Sequence, residues 1–289
     1  MRSEKTVLQE LLNWGQEQEN IRAVVMTSSR ANPDATLDIF TDYDIELIVT
    51  NLQDFRSNDQ WISHFGDVLA NIKEMNATSC TQLVLYSDGV RIDFSIYTIS
   101  EFLRVTNQSS IPEHWNIGYK ILLDKDEVTQ MLPLPTHTHY NISPPTEKEF
   151  TGVVKDFWWD TTYVAKSLWR DEIYFAKYAF DSLIHCNYLR KMIEWYIGLN
   201  NNWAVNPNKY GRWFKRYLDT ETWERIENSF ADSNVEKNWK ALFATTDLFR
   251  RLATEIANQL NFGYDNNLDR NITGYLTKIQ RLDKNATNF

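Results

Sequence analysis

The sequence predicts an α+β protein, with helices and strands mixed over residues 1–135 and a helical bundle over residues 136–289. Three observations carry that prediction. In the first half, several short runs alternate apolar and polar residues in the period-2 manner of half-buried strands. Four prolines, Pro133, Pro135, Pro144 and Pro145, then interrupt the chain with no helical or strand period between them. Beyond them the apolar spacing stays helical to the end, with Thr146-Glu147-Lys148-Glu149 and Ser233-Asn234-Val235-Glu236 reading as capping boxes.

Taken in order, residues from about Glu4 to Gln18 place Val7, Leu8, Leu11, Leu12 and Trp14 at helical spacing. Ile21 to Thr27 is a strand that runs into the small-residue turn Ser28-Ser29-Arg30. A polar loop from Arg30 to Thr41 leads to a second strand, Thr41-Asp42-Tyr43-Asp44-Ile45-Glu46-Leu47-Ile48-Val49. Asn58 to Phe65 predicts a short helix. Thr81 to Tyr86 and Val90 to Tyr97 form a hairpin about Ser87-Asp88-Gly89, and Ile117 to Leu123 is a last strand. Eight of the eleven tryptophans lie at or beyond Trp158, in helical context, so core packing is their expected role. The same holds for His185-Cys186. His137-Thr138-His139 lacks a third ligand and reads as linker surface rather than a zinc site.

Composition narrows the function. The 289 residues carry 30 basic and 39 acidic side chains, a net charge of -9. That balance argues against a broad nucleic-acid surface and suits a cationic ligand drawn to an acidic cleft. No apolar run approaches the ~20 residues of a membrane helix, so no membrane partner is expected. The two cysteines, Cys80 and Cys186, form no ligand motif, and a reduced cytoplasmic setting is the expectation.

The chemistry concentrates in three aspartates. Asp42 and Asp44 lie two apart on a predicted strand, so both carboxylates point to one face, with Cα atoms roughly 6.5–7 Å apart. Asp93, between Ile92 and Phe94 on another strand, needs solvent or a partner for its charge. Three carboxylates crowded together repel, and a hard divalent cation such as Mg²⁺ relieves that repulsion. Such a site suits nucleotidyl transfer, in which negative charge builds on phosphoryl oxygens. The turn Ser28-Ser29-Arg30-Ala31-Asn32 offers backbone N–H groups and hydroxyls to a triphosphate. Arg30 has two readings, a phosphate contact or a brace for its own loop.

The order small-Ser, about a dozen residues, Asp-x-Asp, then hydrophobic-Asp-hydrophobic resembles the polymerase-beta-like nucleotidyltransferase superfamily. Met1-Arg2-Ser3-Glu4, Ser29-Arg30-Ala31-Asn32, Asp42-Tyr43-Asp44-Ile45, Asn58-Asp59-Gln60-Trp61, Phe65-Gly66, Leu122-Leu123-Asp124-Lys125-Asp126, Phe157-Trp158 and Arg270-Asn271-Ile272-Thr273 make the chain similar, over nearly its whole length, to the aminoglycoside 6-adenylyltransferases, the streptomycin-modifying enzymes. The resemblance implies an N-terminal nucleotidyltransferase domain with a mixed sheet and flanking helices, a C-terminal helical substrate-binding domain, and an active site between them. It also implies Mg²⁺-dependent transfer of AMP from ATP to a hydroxyl of a small cationic acceptor of the streptomycin kind, with pyrophosphate released. On that likeness Asp42, Asp44 and Asp93 are the catalytic, metal-binding carboxylates. Ser28, Ser29 and Arg30 hold the nucleotide. Lys209 matches a lysine of the family's helical domain and would neutralise the triphosphate as a point charge. Asp156, Glu172 and Glu194 are candidates for the acceptor's amino or guanidino groups.

The chain departs from the family pattern twice. Ser28 stands where the family usually has glycine, a residue that permits positive φ and close phosphate approach. Ile72-Lys73-Glu74-Met75-Asn76-Ala77-Thr78-Ser79 is shorter and less acidic than the family's insertion, which bears on the acceptor. Two other readings stay open: a nucleotide-binding regulatory protein, for which Ser28 is the sequence support, and an adenylyltransferase whose acceptor is a protein, as in toxin–antitoxin pairs, or another small molecule. Oligomeric state is expected to be a monomer or small homo-oligomer.

Overall fold

The computed structural model describes residues 1–106 and 111–289. The chain divides into two compact units, Met1–His139 and Tyr140–Phe289.

The first unit opens with helix α1 (Glu4–Glu17), capped by the Ser3 side chain accepting from the Thr6 N–H. Strand β1 (Ile21–Thr27) ends in a 3-10 turn, Ser28–Ala31. Strand β2 (Tyr43–Val49), the short helix α2 (Gln53–Ser57) and a 3-10 segment, Gln60–Phe65, follow. Strands β3 (Val68–Met75), β4 (Ser79–Tyr86) and β5 (Arg91–Thr98), helices α3 (Ile99–Thr106) and α4 (Glu113–Ile117), and strand β6 (Tyr119–Asp124) complete it. Among the described residues these strands form one mixed sheet in the order β3-β4-β5-β2-β1-β6. The β2–β5 pairing is parallel, with Asp44 opposite Asp93, and the others are antiparallel.

Strand alternation sorts the two faces of this sheet. Tyr43, Ile45, Leu47 and Val49 of β2 join Ile92, Phe94 and Ile96 of β5 beneath α1. There Trp14 stacks on Trp61 at 5.4 Å and meets Phe65 edge-on at 5.0 Å. Leu11 is fully buried in this core, and truncating it to alanine would cost about 2–5 kcal/mol. Asp44, Glu46, Asp93 and Arg91 occupy the alternate positions and so face the other side. That side carries a smaller core of Ala23, Val25, Ile48, Phe102 and Trp115. The apolar packing under one face thus holds the acidic residues on the other.

Several expectations shift in detail. The second strand begins at Tyr43, so Asp42 lies just ahead of β2 rather than on it. The reason is Arg30, whose guanidinium takes the carbonyls of Thr41 and Asp42 out of any strand ladder. The segment expected as a helix at Asn58–Phe65 is the 3-10 segment Gln60–Phe65. Ile117 closes α4, and the last strand starts at Tyr119. Most of Ile72–Ser79, read as a shortened insertion, belongs to β3, β4 and the bend between them.

In the second unit, α5 (Glu147–Trp169) starts at the expected capping box of Thr146 and Glu149. It is followed by α6 (Ile173–Lys177), a run of π-helical turns (Tyr178–Leu189), α7 (Arg190–Asn200), α8 (Phe214–Tyr217), α9 (Thr220–Glu227), α10 (Val235–Leu260) and α11 (Asn266–Arg281). Asn234 caps α10 by accepting from the Lys237 N–H, one residue later than the Ser233 box expected. Trp158, Trp195 and Trp239 are buried in this unit's core, whereas Trp159 is exposed. His185 is buried between Phe180 and Phe230, with ring centroids 4.6 Å away on each side, but Cys186 is exposed. No helix among the described residues is long and apolar enough to cross a membrane.

Candidate active site

The carboxylates gather where β2 and β5 run side by side. Asp44 and Asp93 are Cα partners across the parallel pair. Burial pushes the Asp44 carboxyl up to about 6, helped by the neighbouring charges of Asp93 and Asp42 and opposed by Arg91 and a hydrogen bond from Ser28. Asp93 accepts two hydrogen bonds from Arg91, from Nε at 2.9 Å and Nη2 at 2.7 Å. The third guanidinium nitrogen of Arg91 lies 3.6 Å from Asp42 Oδ2. All three predicted acidic residues therefore meet around one arginine that was not among the sequence candidates.

Among the described residues no three His, Cys, Asp or Glu side chains are drawn together tightly enough to enclose a metal ion. The donor set nevertheless fits a hard cation. Carboxylate oxygens are the ligands Mg²⁺ prefers, mutual repulsion already penalises Asp44, and the cluster already holds a cation, the Arg91 guanidinium.

The small-residue turn lies at the end of β1, where Thr27 pairs with Asp44. Ser28 adopts φ +61°, the left-handed conformation usually left to glycine. The turn therefore forms with serine in place, and the Ser28 hydroxyl hydrogen-bonds Asp44. Arg30 is engaged within its own loop. Its Nε and Nη2 donate to the carbonyls of Asp42 (3.2 Å) and Thr41 (2.7 Å), and its Nη1 donates to Glu4 (2.9 Å). Its guanidinium stacks 3.8 Å from the centroid of the Tyr43 ring. Of the two readings for Arg30, this geometry is the brace.

Three further residues carry no obvious sequence signal as single positions. Glu46 follows Asp44 on the same face of β2 and is buried. It accepts a hydrogen bond from Thr27 Oγ1 at 3.3 Å, Tyr97 is a further hydrogen-bond partner, and His114 Nε2 lies 3.8 Å away. Burial, then the charge of Asp44, pushes its carboxyl up to about 8. Gly118 is the second: a side chain there would meet the backbone of Ala31 and Asn32. Arg91 is the third, and the pattern Arg-x-Asp on an alternating strand was its available clue.

In the second unit, Lys209 and Glu194 line one cavity of about 380 Å³ with Arg190, Trp195, Asn208 and Tyr210. Glu194 is paired with Arg190 at 2.5 Å, and the Lys209 ammonium lies over the Tyr210 ring at 5.2 Å. Asn208 and Tyr210 both have positive φ, a local strain of the kind that concentrates at binding sites. Asp156 and Glu172 are exposed and do not line this cavity. Glu172 lies 3.8 Å from Arg170.

Comparison with known proteins gives a consistent family. A family model described as streptomycin adenylyltransferase matches residues 1–279. The chain is 31% identical to an aminoglycoside 6-adenylyltransferase of Campylobacter jejuni, covering 97% of both chains. It is 30% identical to the aminoglycoside 6-adenylyltransferase of Bacillus subtilis over 96% of this chain and 98% of the relative. A crystal structure of an aminoglycoside 6-adenyltransferase from Bacillus subtilis aligns over 98% of this chain and all of that one, at 27% identity and a TM-score of 0.49.

Proposed function

The chain belongs to the streptomycin adenylyltransferase family, and from that premise we propose that it transfers AMP from ATP to a hydroxyl of an aminoglycoside of the streptomycin kind. Pyrophosphate is the second product. The observation that carries the reading is the facing pair Asp44 and Asp93, with Asp42 beside them and the Ser28 turn at the end of the adjoining strand.

Asp42, Asp44 and Asp93 would hold Mg²⁺. When bound, that ion supplies positive charge to the phosphoryl oxygens as negative charge builds on them. The backbone and hydroxyls of Ser28 and Ser29 present donors to the polyphosphate of ATP. The acceptor hydroxyl attacks the α-phosphorus in line, and one of the facing carboxylates takes its proton. Arg30 keeps Thr41 and Asp42 fixed, which fixes the direction of the Asp42 side chain. In the helical residues 136–289, Lys209 is a point charge for phosphate, and Asp156, Glu172 and Glu194 pair with the acceptor's amino or guanidino groups. The shared cavity supports Lys209 and Glu194 more directly than the other two. The regulatory, non-transferring alternative leaned on Ser28, and Ser28 adopts the backbone conformation that the turn requires.

A pyrophosphate-release screen tests the reading. Aminoglycosides and lincosamides are each combined with the four ribonucleoside triphosphates and Mg²⁺. Release with ATP and a streptomycin-type acceptor is expected, together with a product heavier by one AMP. Absence of release with every aminoglycoside, or release that survives Asp44→Ala, would overturn it.

A further inference from the structure

Arg91 is a cation in contact with the acidic cluster, and its placement is specific. It sits two residues before Asp93 on β5, so both side chains project from the same face. Two of its nitrogens engage both oxygens of Asp93, and a third faces Asp42. A fork of this kind is the strongest geometry that an arginine offers a carboxylate. It uses the oxygens that a metal ion would need. The side chain remains 44% exposed, and Asp42 40%, so the guanidinium has a free path away from the carboxylates. Exposed ion pairs contribute little to stability, so a purely structural account leaves this arrangement with little to do.

We propose that Arg91 is a built-in counter-cation that competes with divalent metal for Asp42 and Asp93 and leaves them when metal arrives with nucleotide. Without nucleotide, Arg91 neutralises the cluster and keeps its metal affinity low. Metal delivered on a polyphosphate brings, in the same molecule, the negative charge that the released guanidinium can pair with. Loading of the site is thereby tied to nucleotide. In this account Arg91 is a positioning residue that acts through the carboxylates. The inference rests on the reading of Asp42, Asp44 and Asp93 as a metal site.

The test is titration of the nucleotide-free protein with Mn²⁺, read from the electron paramagnetic resonance of free Mn²⁺. Arg91→Gln is expected to bind Mn²⁺ about tenfold more tightly than wild type, in the ordinary range of a competitive coupling. Arg91→Lys keeps the charge and loses the fork, so it is expected to bind at least roughly threefold more tightly than wild type. An Arg91→Lys affinity equal to wild type would reduce the effect to the general field of a positive charge and sink the competition. Arg91→Gln binding as weakly as wild type, where Asp44→Asn abolishes binding in both, would overturn the inference and leave the metal site standing. If none of these proteins holds Mn²⁺, the metal-site reading falls and the inference with it. Circular dichroism shows whether each variant is folded, and the lysine variant carries the test alone should the glutamine variant fail.

Discussion

Asp44 and Asp93 stand directly opposite one another across the parallel pairing of β2 and β5, with Asp44 half-buried. A carboxyl raised to about 6 in the fold, against 3.8 in the unfolded chain, favours folding in acid. Its contribution is fully present below pH 3.8 and is lost as the pH rises through about 6. Asp44→Asn removes that loss. In the presence of a chelator, the variant is expected to melt above wild type at pH 7.5 and close to it at pH 4.5. The difference at neutral pH is on the order of 1–3 kcal/mol. The same substitution should lower turnover by roughly 10²–10³ or more, because charge stabilisation at the reacting phosphate goes with it. A melting difference that does not change with pH would remove this electrostatic account.

Arg30 separates bracing from phosphate binding. Its side chain is 8% exposed, and its guanidinium holds Thr41, Asp42 and Glu4 while stacked on Tyr43. Arg30→Lys cannot reproduce the fork or the stacking. We expect a stability loss of about 1–3 kcal/mol in urea unfolding and a lower kcat, with KM for ATP changed less than twofold. A KM for ATP that rises tenfold at unchanged kcat would instead make Arg30 a nucleotide ligand.

Ser28 allows backbone and side chain to be told apart. At φ +61° a non-glycine residue costs roughly 1–2 kcal/mol. Ser28→Gly relieves that cost and gives up the hydrogen bond to Asp44, whereas Ser28→Ala gives up the bond and keeps the cost. The glycine variant should therefore be more stable than the alanine variant by about 1 kcal/mol, with the higher activity of the two. Equal melting temperatures would mean that the turn carries no strain.

The legibility of the fold follows burial. β2 and β5 are buried on one face and carry charges on the other, so their alternation is plain, and it places Asp44 and Asp93 directly. β3 is an edge strand with Leu69, Ile72 and Met75 all more than half exposed, so nothing in its side chains announces a strand. Asp42 was expected on β2 because period-2 spacing cannot register Arg30, twelve residues earlier, drawing off the carbonyls of Thr41 and Asp42. Arg91 carries no local signal for a related reason. A charged residue at a strand's first position looks solvated until the register of a parallel neighbour sets it among aspartates. The cavity shared by Glu194 and Lys209 depends on α7 meeting a loop fifteen residues further on, and no local pattern reports such a meeting.

Glu46 offers a second pH test, over a wider window. Its carboxyl is buried and raised to about 8, so it is protonated at neutral pH. Glutamine has nearly its shape, and Glu46→Gln should unfold in urea within about 1 kcal/mol of wild type at pH 4.5. The stability that wild type draws from a neutral Glu46 is fully present below pH 4.5 and is lost as the pH rises from there through about 8. The variant is then the more stable protein at pH 9.5. Glu46→Ala leaves a cavity and an unpaired Thr27 hydroxyl and should lose stability at both values. Parallel curves for Glu46→Gln and wild type from pH 4.5 to 9.5 would show that the fold does not raise the Glu46 carboxyl.

Gly118 links the end of α4 to the turn that carries Ser28 and Ser29. A Cβ at this position would lie 2.6 Å from the carbonyl oxygen of Ala31 and 2.9 Å from the Asn32 nitrogen, and both are backbone atoms with little freedom to yield. Gly118→Ala must therefore displace the turn that carries Ser28 and Ser29, at a cost of roughly 1–3 kcal/mol. A shift of that turn moves Ser28 and Ser29 relative to Asp44, so under the proposed mechanism turnover should fall by about tenfold or more. Gly152, on α5, is the internal control. An added Cβ there meets nothing within 4 Å, and Gly152→Ala should raise stability by about 0.5–1 kcal/mol through helix propensity. Thermal melting and steady-state kinetics on the pair decide the matter. Wild-type kinetics in Gly118→Ala would mean that the contact with Ala31 does not hold the turn in its working position.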